Sequence, residues 1–245
     1  METRVGRLNF APSAGMTLLT GLLCVLFVYL GRWQWHRGNA RQEAWDRFSR
    51  GAEKVVPIGT QRLSTVPLFQ RVSLAGRFDA AHQFLLDNRS YEGRAGYEVL
   101  TPLLRSSGEA ALVDRGWVPF SGLRARLPGV AIASHEEITV TGRVAELPSA
   151  GLASGRATPS GPWPKVTSFP TMPELSSAFG AALEPQIVLL DSHDPDGYVR
   201  DWHPPGLEPT RHWSYAVQWW CFAVLAAVLW ARLSLRKLPQ AEVSA

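Results

Sequence analysis

Two stretches of this 245-residue chain carry no charge, Phe10–Leu30 and Trp213–Trp230, one near each end. About 20 helical residues at 1.5 Å per residue cross a hydrocarbon core of about 30 Å, so each run is long enough, the second only just, to span a bilayer. The runs end at Arg32 and Arg232, where a charge again meets water cheaply. Of ten tryptophans, Trp33, Trp35, Trp213, Trp219, Trp220 and Trp230 lie within or beside these segments. An indole has an apolar body and an N–H that needs a wet partner, so it gathers at membrane boundaries. The expected organisation is a first transmembrane helix at 10–31, an extramembrane domain at 32–211, a second transmembrane helix at 212–231 and a tail at 232–245.

The first run reads as a retained anchor. Gly31-Arg-Trp-Gln-Trp35 places bulky residues where a cleaved signal needs a small-x-small site. Two spans put both termini on one side of the membrane. Arg4 and Arg7 at one end, with Arg232, Arg236 and Lys237 at the other, predict that this side is cytoplasmic. Arg32, Arg37 and Arg41 flank the opposite side, but long domains translocate largely regardless of charge. The topology expected is N-in and C-in, with the domain in the periplasm.

The formal net charge is +4, without a block of five or six like charges, which excludes a nucleic-acid footprint. The two cysteines, Cys24 and Cys221, lie inside the apolar segments and have no CxxC spacing, so neither a disulfide framework nor a zinc site is expected. Residues 32–50 should continue the first helix, interrupted at Gly38 and stopped by Val56-Pro57. Short apolar runs then predict strands at Arg71–Phe78, Gln83–Asp87, Tyr97–Leu104, Ala110–Val118, Glu137–Val144 and Gln186–Asp191. Ala150–Pro164 is rich in Gly, Pro, Ser and Ala and reads as a loop, Pro173–Leu183 as a short helix, and the proline-rich Asp194–Thr210 as extended chain. The fold class expected is a membrane protein whose two transmembrane α-helices flank a mainly antiparallel β domain, a sheet or small barrel.

There is no phosphate-cradling glycine loop, no nucleophile elbow and no HExxH, so no catalytic residue is assigned and the chain is not read as an enzyme. The densest constellation is His212-Trp-Ser-Tyr215-Ala-Val-Gln218-Trp219. On a helix His212, Tyr215 and Trp219 share a face. A neutral imidazole is a good axial ligand for haem iron, and aromatic rings pack on a macrocycle. Gln218 is a polar residue committed to an apolar segment, where such residues face a partner helix or a site. The competing reading is an interfacial His that bonds water or a carbonyl, within an aromatic belt. Trp33 and Arg37 stand i, i+4 on the first helix, spaced for a cation–π pair or an interfacial anchor. His36 and His212 sit just beyond the outer ends of their spans, which makes two-histidine ligation a geometric option. Cys24 and Cys221 fall at similar depth, as a copper pair or as two small packing residues. Arg89 and Arg115 end two alike runs, Leu86-Asp-Asn-Arg89 and Val113-Asp-Arg115; each can bind a haem propionate, a partner's carboxylate or an internal Asp.

Five segments occur in order along the chain: Leu30-Gly-x-Trp-Gln-x-x-Arg37, Leu86-Asp-Asn-Arg…Gly93-Arg-Ala-Gly-Tyr-Glu-Val-Leu-Thr-Pro102, Leu112-Val-Asp-Arg-Gly-Trp-Val-Pro119, Thr141-Gly-Arg143 and His212-x-x-Tyr-Ala-x-Gln-Trp219. With two flanking spans, this set resembles the Surfeit locus protein 1 family of cytochrome c oxidase assembly factors. The resemblance implies handling of haem a for the catalytic subunit of a haem–copper oxidase, with haem a as cofactor and that subunit, haem a synthase and membrane lipid as partners. It implies a bacterial cytoplasmic or mitochondrial inner membrane; with only about nine residues before the first apolar run, no mitochondrial transit peptide is expected, and the bacterial setting is the one adopted. His212 is the haem ligand, and the only metal ligand, that it points to, with Tyr215, Gln218, Trp219, Trp33 and Arg37 around it. The alternative is a haem-free scaffold that stabilises an oxidase subunit intermediate; a membrane-anchored enzyme or copper chaperone of the periplasm is a third option, disfavoured by a domain without Cys or a recognisable catalytic set. Thr210 and Arg211 depart from the Asn-rich residues the family would place before that His, and residues 145–185 carry no family motif.

Overall fold

The computed structural model describes residues 8–51, 53–132, 136–148, 157–204 and 206–237. The chain divides into two compact units, residues 1–45 with 205–245, and residues 46–204.

The first unit is built on helices α1 (Ala14–Arg50) and α3 (Pro209–Ser234). α1 starts after Pro12, with the Ser13 hydroxyl accepting the Met16 N–H at 3.4 Å, and α3 starts with Pro209 in its first turn, where a missing N–H costs nothing. Their most apolar windows have mean hydropathy 2.0 and 1.5, yet only 6% and 11% of those windows are buried. A soluble core helix would bury most of that surface. Leu18, Leu22, Val25 and Tyr29 on α1, and Val217, Val224, Leu225 and Leu229 on α3, instead face outward. Both helices are thus long and apolar enough to cross a membrane and carry a lipid-compatible exterior. Outside them, β1 (Leu8–Phe10) pairs antiparallel with β11 (Leu235–Lys237), a two-stranded ladder absent from the sequence expectation.

α1 does not break at Gly38, and it stops at Arg50 rather than at Val56-Pro57. The stop has a local cause. Gly51 approaches Phe69 so closely that a Cβ would lie 2.2 Å from its carbonyl oxygen. The Arg143 guanidinium donates to the Phe48 carbonyl, 2.6 Å, one of the orphan acceptors of the last turn, and stacks 3.9 Å from the Phe48 ring. Val55–Pro57 forms the edge strand β2, where proline is tolerated.

The second unit is a small closed barrel. Strands β3 (Arg71–Phe78), β5 (Arg94–Leu104), β6 (Ala110–Pro119), β7 (Ile138–Ala145) and β10 (Leu183–Leu190) run in the order β3-β7-β10-β6-β5. Pairing of Arg77 with Leu104 and Phe78 with Leu103 closes the ring. Only β10–β6 is parallel within it. On β5, strand β4 (Phe84–Tyr91) extends the sheet to β9 (Lys165–Ser168) and β8 (Ala157–Ser160). The interior is filled by Val72, Leu74, Phe78, Leu103, Val113, Val140, Val144 and Val188. Helix α2 (Met172–Phe179) covers a second layer with Leu175, packed on Phe84, Leu86, Leu100, Leu112 and Ile187. Each such fully buried side chain contributes roughly 1.5–3 kcal/mol. Thr171 and Glu174 form a capping box at the start of α2, and Gly180 ends it in the left-handed region.

All six expected strands are present, Arg71–Phe78 with the expected ends and the other five with shifted ends. β4 runs past Asp87 to Tyr91 because the Asp-Asn pair makes a bulge, with Asn88 at φ 61°, rather than a strand end. Glu92 and Gly93, both at positive φ, then turn the chain into β5 as a two-residue hairpin. Within the expected loop Ala150–Pro164, residues 150–156 lie outside the described residues, while Ala157–Ser160 forms β8.

The paired bulges at Leu86/Arg89 and Glu98/Leu100 bring Arg89, Glu98 and Asp114 together. Arg89 Nε stands 3.0 Å from Glu98, out of line for a hydrogen bond. Asp114 is 1% exposed and accepts the Gly116 N–H at 3.0 Å. Burial first, then the nearby Glu98 carboxylate, hold the Asp114 carboxyl well above the usual range. The folded state therefore keeps a proton that the unfolded chain has lost, and stability falls as pH rises from about 4 toward the raised folded value. Asp114→Asn keeps the acceptor for Gly116 without the charge. Thermal unfolding of the full chain in detergent should show a shallower loss of stability between pH 4 and 8, and a Tm at pH 7 raised by about 2–4 °C per kcal/mol recovered; an unchanged pH slope would refute the raised pKa.

Candidate functional site

The α1–α3 seam follows a spacing alternating between three and four residues. On α3 the inward residues from His212 to Trp230 are His212, Ala216, Trp219, Ala223, Ala226 and Trp230, and on α1 they include Thr20, Leu23, Phe27, Leu30 and Gln34. A mean repeat of 3.5 keeps two helices in register along their length. The Cys24 thiol donates to the Ala223 carbonyl at 3.5 Å, and Phe27 stacks on Trp219 at 5.8 Å. Two glycines admit two indoles. A Cβ on Gly31 would lie 2.3 Å from Trp220 Nε1, and one on Gly38 would lie 2.5 Å from Trp213. Gly38, read from sequence as a helix interruption, is therefore a packing glycine. Trp213 Nε1 donates to Asn39 at 3.2 Å, and Trp35 tilts against both Trp213 and Trp220.

His212, next to Trp213 in sequence, is 9% exposed, its Nδ1 2.8 Å from Gln34 Oε1. Trp219 lies in the same seam. Tyr215 is 49% exposed, Gln218 points outward, and Trp33 and Arg37 are exposed on α1. The expected face of His212, Tyr215 and Trp219 is thus split between the seam and the outside. The structure also separates the other proposed pairs. His36 is exposed, two residues from the inward Gln34 and so about 200° around the helix. Cys24 lies in the seam, while Cys221 lines an outward apolar groove of about 430 Å³ with Val217, Trp220 and Val224. No group of three His, Cys, Asp or Glu side chains that could hold a metal ion is found among the described residues.

Arg89 and Arg115, the two arginines with a possible carboxylate ligand outside the chain, are used internally. Arg89 faces Glu98, and Arg115, 1% exposed, donates to the carbonyls of Asp196 (2.6 Å) and Val130 (3.2 Å) and to Gln83 Oε1 (3.0 Å) under the Tyr198 ring. Gly116, at φ 106°, and Gly142 make close backbone approaches to Val199 and Leu189. The motifs around residues 112–119 and 141–143 thus hold the barrel together.

A model of the SURF1 family matches residues 21–224, across both apolar helices and the barrel. The chain belongs to the SURF1 family. Similar proteins include uncharacterized SURF1-like proteins of Mycobacterium tuberculosis and Mycobacterium bovis, each 28% identical over 235 residues, covering 91% of this chain and 84% of the relative. The SURF1 match takes in Gln34 and His212, which sequence reasoning quoted in separate motifs without linking them. The signal was there: in both helices the polar residue lies on the seam repeat.

Gly31→Val and Gly38→Val should push the indoles out and cost about 1–3 kcal/mol each by overpacking. Gly15→Val and Gly21→Val, where a Cβ meets nothing within 4 Å, serve as controls. A lower Tm in detergent for the first pair alone is the expected result; equal Tm values for all four would show that the glycines do not set the seam.

Proposed function

We propose that this SURF1-family chain is a non-enzymatic assembly factor for cytochrome c oxidase, handling or stabilising haem a for insertion into the catalytic subunit. The observation that carries the reading is the one buried imidazole of the helical unit, His212, held at the start of an apolar helix by a neutral amide. The donor chemistry fits a haem iron: one ring nitrogen is engaged by Gln34, and an imidazole can ligate through the other. His212 is the residue that would hold the iron of a bound haem. Trp219 supports the seam behind His212, while Tyr215, Gln218, Trp33 and Arg37 offer outward aromatic and polar contacts to a macrocycle, a partner helix or lipid. Haem a synthase and the oxidase catalytic subunit are the partners this role requires.

A haem-free scaffold is the second reading. It is favoured by the filling of Gly31 and Gly38 by indoles, which makes the seam a packed helix–helix contact. Full-length protein co-expressed with haem a synthesis and then purified separates the two. Optical spectra should show bound haem in the wild type and its loss in His212→Ala; equal haem in both removes His212 as ligand, and colourless protein that still captures the oxidase subunit supports the scaffold.

The membrane proposed is the bacterial cytoplasmic membrane, with both termini inside and the barrel in the periplasm. Arg232, exposed at the end of α3, and the charges at Arg4 and Arg7 support that orientation. Protease added to spheroplasts should degrade residues 46–204, and full protection of that unit would reverse the topology.

A further inference from the structure

We propose that Gln34 is a positioning residue that keeps the proton of His212 on Nδ1 and so leaves Nε2 as the ligating atom. The inference rests on the haem reading for its purpose, but its geometry is independent of that reading. Nδ1 of His212 stands 2.8 Å from Gln34 Oε1 across the α1–α3 seam. A carboxamide oxygen only accepts, so a bond at that distance needs the imidazole proton on Nδ1. A neutral ring carries one proton, and Nε2 then presents its lone pair. Metal-ligating histidines are oriented in this way, by an acceptor on the nitrogen that does not bind the metal.

The surroundings make the acceptor specific. Gln34 shares the seam repeat with Phe27 and Leu30, and is flanked in sequence by Gly31 and Gly38, whose missing side chains let Trp220 and Trp213 close over the helix pair above and below. The indoles hold the two helices at the spacing at which a five-atom amide side chain reaches the ring. The Gln34 amide oxygen accepts the Nδ1–H hydrogen bond without placing a charge next to apolar surface. Trp213, adjacent to His212 in sequence, is tied to Asn39 of α1, so two successive residues of the first turn of α3 are linked to α1.

The test uses full-length protein in lipid nanodiscs, labelled with 15N at histidine, with His212→Ala to assign the signal among the six histidines. Wild type should show a protonated Nδ1 and an unprotonated Nε2 at His212. Gln34→Leu should give mixed tautomers, and Gln34→Glu, which retains an acceptor, should restore the Nδ1–H form. Titration with ferric protoporphyrin IX supplies the second readout. Gln34→Leu should bind about 10–100-fold more weakly than wild type and Gln34→Glu close to it. A wild-type ring protonated on Nε2, or a tautomer unchanged in Gln34→Leu, overturns the proposal. If the tautomers shift as expected while no variant binds the porphyrin, Gln34 holds the ring as stated and the haem reading is what fails.

Discussion

Everything in the helical unit depends on filling the seam between two helices whose outer surfaces are apolar. Lipid offers no hydrophobic gain for bringing such helices together, so the pairing rests on close packing and a few polar links. This chain uses both. Gly31 and Gly38 admit Trp220 and Trp213, and Gln34 meets His212. At the other end Trp230 donates to Thr17 at 3.0 Å and packs edge-on against Phe10. The aromatic residues that composition alone assigns to a membrane belt are therefore also the mortar of the helix pair.

The barrel solves a different problem, that of burying cations. Arg115 and Arg105 are both nearly inaccessible; Arg105 has a carboxylate, Glu184, at 2.8 Å, and among the described residues Arg115 has none in ion-pair contact. Arg115 relies on carbonyl oxygens, an amide and two aromatic rings, and burial lowers its pKa. Arg200 gathers the carbonyls of Asp191, Ser192 and Asp194 and so shapes the chain that leaves β10. A guanidinium has five N–H donors in a fixed fork, and here the fork is spent on organising loops. That is why Arg89 and Arg115, which by residue type alone could have met a haem propionate, are engaged within the barrel.

Much of this was legible in the residues. Uncharged runs gave the helices, and alternation gave β3 and β7 almost to the residue, because one face of each is buried and the other is not. Other features were not. Asp87-Asn88 reads as a strand end, and only tertiary pairing turns it into a bulge. β8 and β9 are four-residue strands in a stretch dominated by Gly, Pro and Ser, too short for periodicity to mark. The closure of β3 on β5 is a pairing distant in sequence, invisible to local patterns. At the site, the repeat that places His212 inward also turns Tyr215 and Gln218 outward, and a helical wheel drawn without the partner helix cannot choose between those faces.

β6 carries a further implication. From Ala110 to Val118 every residue is buried, so this strand has no water-facing side at all. Damage there, whatever the substituted residue, will surface as reduced protein abundance. A scan of engineered variants that finds residues 110–118 intolerant is therefore a map of foldability, and loss of activity in such variants carries no information about which side chains touch a partner.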